Sequence, residues 1–104
     1  MLRLTLIRQT NQESVIKVEG WLSGSDVHLL EVEGHRCFKQ ESVLVLDLMG
    51  VCHVDSAGLD LLQGWWGQRL ALRGVPAFVA ALLRQRGLIG DGSQRHADPR
   101  TERG

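Results

Sequence analysis

A chain of 104 residues suits one domain with one hydrophobic core and is too short for two. Twelve Lys and Arg balance twelve Asp and Glu, so neither nucleic acid nor a membrane surface has an electrostatic reason to bind. No apolar run approaches the roughly 20 residues that span a bilayer, and the segment after Met1 is too short for a signal peptide, which predicts a cytoplasmic protein with no direct membrane insertion.

Leu2, Leu4 and Leu6 alternate with Arg3, Thr5 and Ile7, a period of two that predicts a strand with one wet face. A polar break at Gln9–Glu13 suits a hairpin turn. Alternation resumes from Ser14 to Leu22, with Ile16 and Val18 opposite Lys17 and Glu19, so these strands are expected to pair antiparallel. Ser23-Gly24-Ser25-Asp26 is a helix start, with Ser25 or Asp26 placed to cap free N–H groups. Val27, Leu30, Gly34 and Cys37 or Phe38 then make one apolar helical stripe, in which Gly34 lets the helix come close to the sheet. Two cysteines, Cys37 and Cys52, without a C-x-x-C spacing fit a reducing compartment.

Val43–Leu48 is an almost unbroken branched apolar run, read as a strand buried on both faces. The preceding helix is long enough for a crossover, so this strand is expected to run parallel to the second. A turn over Val51–Gly58 feeds a helix beginning near Gly58, with Leu59, Leu62, Trp66 and Leu70 on one stripe and Leu61, Trp65 and Leu72 beside it. Arg73-Gly74 is its expected stop. So wide an arc leaves Trp65 either packed at the domain edge or part of a protein-binding patch, and leaves a homodimer open. Pro76–Ala80 reads as a fourth strand with proline at its start, and Leu82–Leu88 as a short closing helix. Residues 90–104 lack apolar periodicity and are expected to be disordered, leaving 1–89 as the domain. The expected architecture is α/β, a four- or five-stranded mixed sheet packed with helices.

The buried strand, turn and helix place Asp55, Ser56 and the first helical N–H groups at one sheet edge, where α/β folds keep their sites. Val54-Asp55-Ser56-Ala57-Gly58-Leu59, preceded by Val45-Leu46-Asp47-Leu48, resembles the signature of the STAS domain, and the likeness spans Leu2 to Leu88. That family includes the anti-sigma factor antagonists of bacterial partner-switching pathways, cytoplasmic domains of sulfate transporters and small subunits of lipid-transport ATPases. The antagonist branch is the most similar. It implies a transcription regulator that binds an anti-sigma factor with serine kinase activity and takes phosphate at the position of Ser56. A constitutive adaptor subunit of a membrane transport complex, without phosphorylation, is the alternative. Many phosphorylatable antagonists end the second strand in a Gly-Glu-Leu-Asp segment. Gly20 and Leu22 match it, but Trp21 and Ser23 replace its acidic positions and make the edge apolar. The expected partner surface comprises Trp21, Ser23, Asp55, Ser56, Ala57, Gly58, Leu59 and Trp65.

Other chemistry finds little support in these residues. Ser56 as a nucleophile needs an oriented base, and His53-Val54-Asp55-Ser56-Ala57-Gly58 lacks Gly-x-Ser-x-Gly, so no enzyme is expected. His28, Glu31 and His35 share a helix face, but the histidines lie two turns apart, roughly 10 Å, too far to grip one ion. Phosphate-loop and dinucleotide glycine motifs are absent, and no cofactor or metal is expected.

Overall fold

The computed structural model describes residues 1–88, and the tail expected to be disordered, 90–104, lies outside the described residues. The elements are β1 (Leu2–Gln9), β2 (Glu13–Leu22), α1 (Val27–Lys39), β3 (Val43–Val54), α2 (Ser56–Trp65), β4 (Leu70–Arg73) and α3 (Ala77–Gln85). A single 3-10 turn, Gly24–Asp26, leads into α1. The polar break at residues 9–13 forms the first hairpin through Thr10. Its N–H donates to the Glu13 carbonyl at 2.8 Å, and its hydroxyl accepts from the Gln12 and Glu13 N–H groups at 3.1 Å each.

The sheet has four strands in the order β1-β2-β3-β4. β1 is antiparallel to β2, and β2, β3 and β4 run parallel. Two successive crossovers, β2-α1-β3 and β3-α2-β4, advance in the same direction. Crossovers of one hand then place both helices on one face of the sheet. α3 joins them there, with Arg86 just beyond it donating to Asp60 (2.6 Å) and Gln63 (3.0 Å) of α2. The core lies between that face and the helices. It contains Ile16, Val18 and Leu22 of β2, Leu44, Leu46 and Leu48 of β3, Leu30 of α1, Leu62 of α2 and Val79 of α3.

This one-sided layering corrects the expectation that Val43–Leu48 is buried on both faces. Leu44, Leu46 and Leu48 are buried, whereas Val43, Val45 and Asp47 are partly exposed on the face without helices. Charges line that face, with Asp47 paired to Arg73 at 3.7 Å and Lys17 to Glu19 at 3.8 Å.

The second half of the chain differs more. α2 stops at Trp65, because Trp66 turns extended (φ −61°, ψ 132°) and Gly67 takes φ 90°, a left-handed value that favours glycine. Leu70 and Leu72 belong to β4, where they face the core at a period of two. Pro76–Ala80 is not a strand. Pro76 caps α3 at φ −62°, and Ala77, Ala80 and Ala81 continue it as helix. The closing helix is therefore longer than the Leu82–Leu88 reading allowed. At α1, neither Ser25 nor Asp26 makes a capping bond; the 3-10 turn precedes the helix instead.

Candidate functional site

Parallel β2 and β3 end side by side, so the turns after them, leading into α1 and α2, meet at one edge. Asp55 joins the two turns. Its backbone is extended (φ −99°, ψ −174°) as an N-cap requires, and Oδ1 accepts the Gly58 N–H at 2.9 Å, capping α2. Oδ2 accepts the Gly24 N–H at 2.9 Å, thirty-one residues earlier, where the α1 turn has no cap of its own. The Asp55 N–H in turn donates to the Leu22 carbonyl at 3.3 Å. Hydrogen bonds from Gly58 first, then Gly24 and Ala57, with the nearby His53 charge, hold the Asp55 carboxyl below the ordinary aspartate value; partial desolvation opposes them only weakly.

Ser56 is the first residue of α2 and is exposed. Among the described residues its hydroxyl has no hydrogen-bond partner. Gly58 is buried against β2, where a Cβ would stand 2.5 Å from the Leu22 carbonyl oxygen and 3.0 Å from Val54 Cγ1. Only glycine lets the first turn of α2 pass that close.

β3 shapes the rest of the edge by bulging twice against β2. Lys17–Glu19 face Asp47–Gly50, and Gly20–Trp21 face Val51–His53, so β3 carries an extra residue each time. Bulges of this kind re-aim side chains near sites. Here Cys52 and His53 are both exposed, and His53 stands opposite Trp21 with their rings edge-on at 5.9 Å and 68°. Trp21 is 55% exposed, which leaves most of its indole available to a partner.

Of the residues expected at the partner surface, the structure brings Trp21, Ser23, Asp55, Ser56 and Ala57 to this edge with some surface exposed. Gly58, Leu59 and Trp65 are instead buried, and they support the surface rather than form it. Trp65 is 3% exposed, packed edge-on to Phe38 at 5.4 Å and seated over Gly34, whose absent Cβ would lie 2.3 Å from the indole. Gly34 therefore makes room for α2, not for the sheet. Two contributors were missed from the sequence, Gly24 as the second donor to Asp55 and His53 as the neighbour of Trp21. Gly24 carried a faint signal, since a glycine at φ 59° in a helix start with no cap bond needs a distant acceptor.

A family model described as Mlab, STAS domain, matches residues 5–90. The chain is similar in fold to the solved structure of the anti-sigma factor antagonist SpoIIAA in its unphosphorylated form. That similarity has a TM-score of 0.68 and 18% sequence identity, over 85% of this chain and 82% of that one. No curated protein matches it.

Proposed function

The chain belongs to the STAS domain family, and on that premise we propose that it is a non-enzymatic protein-interaction switch controlled by phosphorylation of Ser56. The supporting observation is the division of labour at the head of α2. Asp55 holds both turns, so the exposed Ser56 hydroxyl is free for modification without loss of a native hydrogen bond. A phosphoryl group there meets the positive end of a ten-residue helix and is tolerated by the fold. Its added charge of about −1.5 to −2 changes the surface that Trp21, Ser23, Ala57 and Asp55 present. The partner in this reading is a cytoplasmic anti-sigma factor with serine kinase activity, as in the antagonist branch of the family.

Trp21 favours a second reading, a constitutive adaptor subunit of a membrane transport complex. An exposed indole where phosphorylatable antagonists carry an acidic residue makes an apolar contact that needs no charge switch. Intact-mass analysis of the protein from its native host, with peptide mapping across Val51–Arg69, separates the two. One phosphate on Ser56 is the expected result, and its absence under several growth and stress conditions overturns the switch in favour of the adaptor. Ser56→Asp is expected to weaken partner binding while circular dichroism stays unchanged. Trp21→Ala is expected to cost about 2 kcal/mol or more of partner affinity in either reading, because the edge is the contact in both.

A further inference from the structure

β1 borders the sheet and pairs only with β2, so one of its edges is open. The direction of its unpaired groups follows from one bond. The Trp21 N–H donates to the Met1 carbonyl at 2.8 Å, and antiparallel pairs alternate between hydrogen-bonded and non-bonded. Arg3 and Thr5 therefore bond to Glu19 and Lys17, while Leu2, Leu4 and Leu6 turn their N–H and C=O groups outward. The side chains of these three leucines lie on the helix-covered face, yet α1 does not fully cover them. Leu6 is 55% exposed, with Leu29 (52%) and Val32 (51%) of α1 exposed across from it. Between them runs a groove of about 320 Å³ lined by Leu2, Leu4, Leu6, Ile16, Leu29 and Glu33. Edge strands are ordinarily guarded by proline, lysine, inward-pointing charge or a bulge. From Leu2 to Leu6 there is none of these; the bulge comes only between Leu6 and Arg8.

We propose that this edge joins two copies of the chain, their β1 strands pairing antiparallel about a twofold axis at Leu4. The charges select the occupant and its register. Outward-facing groups must meet outward-facing groups, so leucines pair with leucines across the axis. Centring the axis on Arg3 would oppose two arginines, and centring it on Thr5 would run Leu2 into Arg8 beyond the bulge. Centring it on Leu4 sets Leu2 against Leu6 of the second copy and Arg3 against its Thr5, with no like charges opposed. About six backbone hydrogen bonds then form, and the leucines of each copy fill the groove of the other. The contact involves none of Ser23, Asp55 or Ser56, so it stands or falls independently of the switch.

Sedimentation equilibrium of the full chain tests it. One strand edge with a few apolar side chains is a small interface, so a dimer dissociating in about the micromolar range is expected. Leu6→Lys is expected to weaken it about a hundredfold with circular dichroism unchanged, because the axis doubles the loss of one exposed leucine. In a Cys52→Ser background, Leu4→Cys is expected to oxidise to a linked dimer, since paired residues stand within disulfide reach. Thr5→Cys, facing Arg3 on the opposite side of the sheet, is not. A chain that stays monomeric at several hundred micromolar overturns the proposal. A dimer indifferent to Leu6→Lys, or cross-linking equally through Thr5→Cys, overturns it as well.

Discussion

Asp55 satisfies two donors with two oxygens, one in its own helix and one in the turn before α1. An aspartate can do this and an asparagine cannot. Asp55→Asn keeps one oxygen for the Gly58 N–H but turns an amino group toward the Gly24 N–H, so the cap survives and the link between turns breaks. Amide exchange at Gly24 is expected to accelerate in this variant, while Gly58 stays protected. The pH dependence follows from the same bonds. The folded pKa lies below the ordinary aspartate value of 3.8, so ionised Asp55 stabilises the fold above that value. This contribution fades as pH falls from there through the depressed folded value. Thermal melts from about pH 7 to about pH 2 are expected to show the parent losing its advantage over Asp55→Asn on that acid limb. An unchanged difference across the range would remove the charge from the account. The capping role itself was legible in the sequence, because a short acid before a helical stripe predicts it. The bond to Gly24 was not, since it depends on two strands ending side by side.

Among the elements, the ones read correctly carry their own period over enough residues. β1 and β2 alternate for eight and ten residues, and α1 keeps its stripe through thirteen. β4 has only four, Leu70–Arg73, and two leucines at a period of two also fit a helical row continued from Leu62 and Trp66. The signal that decides it, the positive φ at Gly67, is a backbone fact that composition does not print. Misplacing β4 displaced the next element, and Pro76 was read as a strand start where it caps a helix. Trp65 shows the same limit at one contact. Its place in the stripe was visible, but its seat over Gly34 depends on how α1 crosses α2. Gly34→Ala tests that seat with two opposed terms. Alanine favours an isolated helix by about 1 kcal/mol, whereas overpacking a core costs about 1–3 kcal/mol. The clashing atoms belong to a buried indole braced by Phe38, so the second term is expected to win, with a net loss of about 1–2 kcal/mol in urea unfolding. Trp65→Phe removes the outer ring, so Gly34→Ala is expected to cost less in that background than in the parent. Strict additivity would mean that the two residues do not share the space.

For the whole molecule, the decisive feature is that the described helices all cover one face of the sheet. Sequence alone suggested otherwise, because Val43 and Val45 are as apolar as the leucines between them. Handedness settles it: two crossovers advancing the same way must deposit their helices on the same side. This gives a test that holds the chemistry constant. Val18 and Val45 lie on neighbouring strands but opposite faces, Val18 with no exposed surface beneath the helices and Val45 partly exposed beside Asp47 and Arg73. Val→Thr changes a methyl to a hydroxyl at nearly constant shape. Val18→Thr puts that hydroxyl in an apolar core, with an expected cost of about 1–3 kcal/mol. Val45→Thr leaves it within reach of water on a strand that suits threonine, and its expected cost is below about 1 kcal/mol. Equal losses in denaturant unfolding would mean that the second face is also covered in solution. A clear gap would leave that face solvated, and the site at the ends of β2 and β3 would then be supported from one side alone.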